Sequence, residues 1–483
     1  FSPCLFDDFM IYDKRQKSRK TKIGRKNMKK YTKIIASIGP KCEDKETLTA
    51  MISAGVNVCR LNFSHDTGDV QGRKIDMIRE ISTELNIPVA ILIDLQGPKH
   101  RIGNFETEDK YPLEIGQKFT FDTDSTPGNS SRVQLPDADV LGSLKVGDRI
   151  LLNDGKIEMR VDFASPEKVD ATVIRGTEIW SRRGFNLPDT EIATSVLTAK
   201  DRADLEYAIT KNPDWVAISF VQKPEDIAEV RDFITERTSH PIKIIAKIER
   251  PNAVARISDI AAIADGIMIA RGDLAVEVPY AEVPAISRHI IRECRKMNKP
   301  VIVATQMLAS MVTSEFPTRA EITDVANAAY LRADSTMTSE ETTIGANPVN
   351  TIETMANILS HADADAIANP YDWSRVENIP ENDWSRSVAS MAYLNRASAI
   401  VVFARDTIAT TQISCRKPDI PVIAICNESV IANQLCLSRG VFPIYNNELF
   451  GMRDAFNAAR QFGINSGKLV IVDEEKISLR TLD

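Results

Sequence analysis

Eight short apolar runs, each followed by an amphipathic stretch, constrain this chain more than any other feature of its sequence. They are KIIAS (33–37), VNVCRLNF (56–63), VAILIDL (89–95), WVAISFV (215–221), IKIIAKI (242–248), GIMIA (266–270), PVIVAT (300–305) and STMT (335–338). The runs are β-branched, short and continuous, the pattern of strands buried on both faces of a parallel sheet. The stretches between them carry helix starts. Thr198 precedes Asp201 as a capping box, Pro224 opens a first turn rich in acids after Lys223, and Pro317-Thr318 precedes Glu321. Eight strand–helix units close a (β/α)8 TIM barrel.

One interval breaks the rhythm. About 120 residues separate Leu95 from Trp215, where a βα unit needs roughly 30. The interval holds turn residues between alternating runs such as KFTFD (118–122), DRILLND (148–154) and KIEMRVDF (156–163). It reads as a β-rich domain inserted after the third strand. Beyond about residue 364 the alternation restarts with AIVVFA (399–404), PVIAIC (421–426), VFPIY (441–445) and KLVIVD (468–473), a smaller α/β domain with a mostly parallel sheet. A polar, Pro-bearing linker from Asn369 to Trp384 leads into it. The expected layout is a basic tail over 1–30, a barrel over 31–97 and 189–363, an inserted lid over 98–188, and a C-terminal domain over 364–483. A length of 483 residues suits about three domains at ~150 residues each.

The formal net charge of -7 does not favour a polyanion such as nucleic acid. It averages two parts, because residues 1–30 hold ten Lys/Arg against three Asp, which leaves -14 on the rest. That N-terminal stretch has no apolar segment of secretory type, and Asp7, Asp8 and Asp13 spoil a transit peptide. It reads as a basic tail or a start codon placed too early. No apolar run reaches the ~18 residues of a membrane span. The seven cysteines are scattered, with no C-x-x-C, which fits a reducing compartment better than a disulfide framework or a zinc site.

In such a barrel the chemistry sits at the C-terminal ends of the strands. Strand two ends in Arg60, Asn62, Ser64 and His65, strand three in Asp94, strand four in Ser219, and strand five in Lys247 and Glu249. Strand six runs into Arg271, Gly272 and Asp273, and strand seven into Thr305. Alternation puts Lys247 and Glu249 on one side of their strand. Glu249 and Asp273, from adjacent strands, can give two carboxylate oxygens to a hard cation such as Mg2+, and Arg60 and Lys247 add positive charge where a phosphate would sit. Gly272 lets a ligand approach the backbone. Neither G-x-x-x-x-G-K-[ST] nor G-x-G-x-x-G after a strand is present. A lyase using Lys247 as a Schiff-base amine and a non-catalytic binding or assembly protein also remain open on these residues alone.

The segments KIIASIGPK (33–41), NVCRLNFSH (57–65), DLQGPK (94–99), GFNLP (184–188), KIER (247–250), ARGDLAVE (270–277), ATQM (304–307) and PTRAEITDVAN (317–327) resemble pyruvate kinase, over about residues 30–450. The resemblance implies phosphoryl transfer from phosphoenolpyruvate to ADP in glycolysis, Mg2+, a homotetramer and a cytoplasmic setting. By motif it implies that Arg60 and Lys247 hold the transferring phosphoryl group and that Lys247 stabilises the enolate. Glu249 and Asp273 would bind Mg2+. Backbone N–H groups at Gly272 and Asp273, with the Thr305 hydroxyl, would take the substrate carboxylate, and Thr305 would help deliver the proton. Ser219 joins the substrate side, and Asn62, His65, Arg101 and Arg183 the nucleotide side. Asn62, Ser64 and Asp94 match a monovalent-cation site.

Some positions depart from the family. Where potassium-dependent members carry Glu, this chain has Lys99, whose ammonium can supply the charge of K+, so activity without added K+ is expected. Gly is usual at Asp66 and Ala275, Glu at Ala309, an apolar residue at His100 and Thr338, and a small residue at Glu340, which would place an extra carboxylate at the barrel mouth. The effector-phosphate loop of the family aligns with residues 404–409, where the Gly and most hydroxyls are lost and Asp406 would repel a phosphate. No activation by sugar phosphates through that loop is expected.

Overall fold

The computed structural model describes residues 30–192, 195–369, 383–447, 451–474 and 476–482. The basic tail expected over 1–30, apart from Lys30, and most of the linker between Asn369 and Trp384 lie outside the described residues.

Strands β1 (Lys33–Ser37), β2 (Val58–Asn62) and β3 (Ala90–Asp94) open the barrel. The chain then builds a separate β-rich body from β4 (Tyr111–Pro112), β5 (Lys118–Asp122), β6 (Arg132–Gln134), β7 (Arg149–Leu152), β8 (Ile157–Ala164), β9 (Lys168–Arg175), β10 (Glu178–Ile179) and β11 (Phe185–Asn186). It returns through β12 (Trp215–Ile218), β13 (Lys243–Ile248), β14 (Gly266–Ala270), β15 (Val301–Ala304) and β16 (Ser335–Thr338). The eight barrel strands close in the order β1-β16-β15-β14-β13-β12-β3-β2. β12 pairs with β3 in parallel, Trp215 opposite Leu92, so the inserted body leaves and re-enters between neighbouring strands. All eight expected runs hold strands, and KIIAS, GIMIA and STMT match residue for residue.

These strands are continuous in sequence because they are buried on both faces. Outward residues such as Ile34, Ile91, Ile244 and Ile269 pack under the helices, and inward ones such as Ile35, Leu92, Ile245, Met268 and Ile302 fill the hollow. The helices begin as their sequences dictate. Thr198 and Asp201 form a capping box, as do Thr318 and Glu321, and Pro224 opens its helix at the first turn.

The inserted body is a six-stranded sheet in the order β11-β7-β8-β9-β5-β6 with a two-stranded β10-β4 ribbon. Its strands alternate buried and exposed residues and share one core around Phe119, Phe121, Met159 and Val173. Its entry and exit pair with each other at Arg101 and Gly184.

The C-terminal sheet runs β19-β18-β17-β20-β21, from β17 (Ala399–Ala404), β18 (Val422–Cys426), β19 (Val441–Tyr445), β20 (Gly467–Asp473) and β21 (Lys476–Leu482). Its first four strands are parallel, and β21 is an antiparallel edge that the sequence pattern does not announce. This domain seals the lower end of the barrel, where Cys436 and Leu437 join the inward-facing cluster. Two buried ion pairs fasten the joint, Lys417 to Asp334 at 2.6 Å and Arg439 to Asp363 at 2.7 Å.

Candidate active site

At the upper end of the barrel the strand termini converge on a cavity of about 420 Å³. Arg60, Asn62, Ser64, His65, Asp94, Lys99, Arg101, Ser219, Lys247, Glu249 and Asp273 all line it. They come from five strand ends and the start of the inserted body, so eleven of the residues expected from sequence meet in one place.

Lys247 is the centre of the cavity floor. Its Nζ donates to Ser219 Oγ at 2.6 Å and lies 3.2 Å from Asp94 Oδ1 and 3.1 Å from Glu249 Oε1. The last contact requires Lys247 and Glu249 to share a face, as the period-two pattern implies. Burial opposes the charge on Lys247, but Asp94 and Glu249 outweigh it and hold the ammonium well above its usual range. Asp94 sits between two cations, with Arg60 Nε donating to its Oδ2 at 2.7 Å. Burial would raise its carboxyl, and Lys247 and Arg60 instead hold it below the ordinary value. Arg60 also donates to Ser37 Oγ at 2.8 Å, which fixes the plane of the guanidinium.

Glu249 is different. Burial pushes its carboxyl up, against the pull of Lys247. Its Oε2 accepts the Phe220 N–H at 2.6 Å, but Oε1 is buried and accepts no hydrogen bond. Apart from the Lys247 ammonium at 3.1 Å no donor is aligned on Oε1, which leaves it room for a ligand. Asp273, on the same wall, is about a third exposed and lies 3.5 Å from Lys99 Nζ.

Three expected residues stand apart from the cavity wall. Thr305 and Gly272 flank each other, since a Cβ on Gly272 would lie 3.6 Å from Thr305 Cγ2. Thr305 adopts φ 71° and Gln306 φ 53°, a left-handed pair of the kind that costs about 1–3 kcal/mol per residue and clusters at functional sites. Arg183 lies in the inserted body with its guanidinium over Trp180, 4.8 Å from the ring centre.

Leu95, Gln96 and Phe220 complete the wall without a role assigned from sequence. Gln71, also unassigned, is buried and donates its Nε2 to the Asn62 and His65 carbonyls, both at 3.1 Å, which clamps the loop after β2. No sequence signal marks it beyond its place on a helix.

The departures near this site are absorbed locally. Asp66 takes the left-handed conformation natural to Gly, with φ 63°, and its carboxylate pairs with Lys74 at 2.8 Å. Glu340 is exposed and lies outside the cavity wall, so it adds no carboxylate there, contrary to expectation. Its neighbour Glu341 is buried and accepts the Leu308 and Ser339 N–H groups. In the 404–409 loop, Arg405 pairs with Asp473, Asp406 accepts the Ile408 N–H, and Thr407 accepts from Lys243 of the barrel.

Residues 29–352 match the family model described as pyruvate kinase, barrel domain, and residues 382–476 match that described as pyruvate kinase, alpha/beta domain. The chain is 39% identical over 437 residues to a pyruvate kinase of Methylorubrum extorquens, covering 89% of this chain and 90% of the relative. It is 36% identical over 440 residues to one of Thermococcus litoralis, covering 90% and 92%. The crystal structure of a pyruvate kinase from Cryptosporidium parvum superposes with a TM-score of 0.88 at 29% identity, covering 94% of this chain and 97% of that one. The barrel, the inserted sheet and the four parallel strands of the C-terminal sheet fall within the family-model matches, and the chain belongs to the pyruvate kinase family.

Proposed function

We propose that this chain transfers the phosphoryl group of phosphoenolpyruvate to ADP, giving pyruvate and ATP. The observation that carries the reading is Lys247, its side chain only 12% exposed and held charged between Asp94 and Glu249 in a charged cavity. A fixed ammonium stabilises the negative charge that develops on the transferring phosphoryl and on the enolate it leaves behind. It also argues against a Schiff base at Lys247, which needs a neutral amine.

The donor set fits Mg2+. Glu249 offers a buried oxygen without a hydrogen bond, Asp273 lies on the same wall, and both are hard oxygen donors. Among the described residues no group of three or more His, Cys, Asp and Glu is placed to hold a metal ion by itself, and Mg2+ held by two carboxylates plus substrate oxygens requires none. Bound there, the ion would neutralise phosphoryl charge during transfer.

Arg60 and Lys247 hold the transferring phosphoryl. The backbone N–H groups of Gly272 and Asp273 and the Thr305 hydroxyl take the substrate carboxylate, with Ser219 beside them. Thr305 delivers the proton to the enolate through water. Asn62, His65, Arg101 and Arg183 face the nucleotide, and Arg183 reaches it when the inserted body over 98–188 closes as a lid and excludes water. Lys99 replaces K+ near Asn62, Ser64 and Asp94, all of which share its cavity. A homotetramer is supported by large exposed side chains on the barrel and C-terminal domain, Tyr280, Phe316, Tyr393 and Leu394. A cytoplasmic setting follows from the glycolytic reaction proposed, and no helix among the described residues is long and apolar enough to cross a membrane. The reading as a non-catalytic relative is not favoured, since Asp66, Ala275, Ala309 and Glu340 all lie outside the cavity wall.

A lactate-dehydrogenase-coupled assay with phosphoenolpyruvate, ADP and Mg2+ tests the reading. Turnover is expected, and its absence rejects the assignment. Replacing K+ by tetramethylammonium is expected to change the rate less than about tenfold, a difference of ~1.4 kcal/mol. Fructose 1,6-bisphosphate is expected to leave the phosphoenolpyruvate saturation curve unchanged.

A further inference from the structure

Thr305 and Gln306 hold consecutive left-handed conformations just after β15, and Thr is β-branched, a residue type that rarely adopts them. One side chain holds the turn. Arg271 Nε donates to the Ala304 carbonyl at 3.1 Å and Nη2 to the Thr305 carbonyl at 2.7 Å. Nη2 also lies 2.9 Å from Met307 Sδ. Nη1 is anchored on the Asp324 carboxylate at 2.8 Å, on the helix Arg319–Tyr330.

A guanidinium is a rigid planar fork, so Nε and Nη2 hold two successive carbonyls at fixed places in one plane, a geometry that the point charge of a rotating ammonium does not impose. The Ala304 carbonyl also accepts the Thr305 hydroxyl, at 2.6 Å, so arginine and hydroxyl meet at one acceptor. Arg271 directly precedes Gly272 and Asp273. It therefore ties the end of β14 to the end of β15, the two ends whose groups face the substrate carboxylate.

We infer that Arg271, anchored by Asp324, is a positioning residue that locks the left-handed turn at Thr305 and so fixes the Thr305 hydroxyl for proton delivery to the enolate. This rests on the role of Thr305 given above. Without the fork the turn relaxes and moves the hydroxyl, and a misplacement of about 1 Å costs roughly 10²-fold in rate.

A double-mutant cycle tests it, with Arg271→Lys, Thr305→Ala and the pair. Two rates are read, kcat in the coupled assay and deuterium uptake into the pyruvate methyl group by NMR. Arg271→Lys is expected to lower both by about 10²-fold with KM for ADP unchanged. In the Thr305→Ala background it is expected to add less than about threefold, because coupled residues are not additive. Should Arg271→Lys fail to fold, Asp324→Asn keeps the guanidinium but frees it, and runs the same cycle with a loss of about tenfold. Losses that add in full, or Arg271→Lys at the wild-type rate beside an impaired Thr305→Ala, overturn the inference and leave Thr305 in place. Thr305→Ala at the wild-type rate instead removes the role of Thr305 itself.

Discussion

The two ends of the barrel both bury carboxylates against cations, and they do so in opposite ways. At the lower end Asp363 accepts the Tyr31 and Thr32 N–H groups, the Thr32 hydroxyl and Arg439. Asp334 accepts Lys417, the Arg439 N–H and the Val301 N–H. Neither carboxylate has an oxygen left over. At the upper end Asp94 Oδ1 and Glu249 Oε1 are buried without an aligned hydrogen bond, although Lys247 stands within ion-pair distance of both. Saturated carboxylates fasten a joint. Unsaturated ones hold charge ready for a ligand, at a cost in stability that packing elsewhere must offset.

The largest expected effect is at the upper end. Lys247→Met should lower kcat about 10³-fold, which is ~4 kcal/mol of transition-state stabilisation, in the coupled assay. Its urea midpoint should move less than that of a lower-end variant, because burial already pushes the Glu249 carboxyl up and, once Lys247 no longer opposes this, Glu249 can take up a proton. A larger loss of stability than of activity would erase the contrast between the two ends.

Lys417→Met is the converse. It should cost about 3 kcal/mol in urea unfolding, the low end for breaking a buried pair, since Asp334 keeps two backbone donors. Activity per folded molecule should stay within about threefold. A tenfold fall in kcat at unchanged stability would show that the lower end speaks to the upper.

The smallest effect sharpens the boundary between barrel and lid. The His100 side chain is only 8% exposed, with Nδ1 2.9 Å from Asp137 Oδ2. Burial lowers its pKa, Asp137 opposes this, and the nearby Arg250 adds to it. The unfolded chain, with a pKa of about 6.5, therefore takes the proton first as pH falls. The stability present above about pH 6.5 is lost below it. His100→Leu should flatten that slope by under about 1 kcal/mol, read as urea midpoints at pH 7.5 and 5.5. Parallel curves for wild type and variant would mean that His100 does not titrate in a buried place.

The barrel was legible because most of its strands are short apolar runs buried on both faces, so a run such as GIMIA has no other home. β21 was not, because it is a half-exposed antiparallel edge with no continuous apolar run. The cavity wall was legible wherever a charged side chain ends a strand. It was not where a residue acts by holding another: Gln71 on the β2 loop, Arg271 on the Thr305 turn and Lys74 under Asp66. Those roles depend on which loops the fold brings together. The lower-end pairs were hidden for the same reason, their members being spread from Asp334 to Arg439.

The position of Leu437 changes what may be called a self-sufficient unit. The bottom layer of the barrel interior is supplied by the C-terminal domain, so the barrel does not own its floor. During synthesis all eight strands leave the ribosome before the segment that seals them, and until Leu437 arrives the hollow between Ile35, Ile245 and Met337 is open to water and to other chains. A chain cut after β16 would keep every residue of the cavity and still be a vessel without a base.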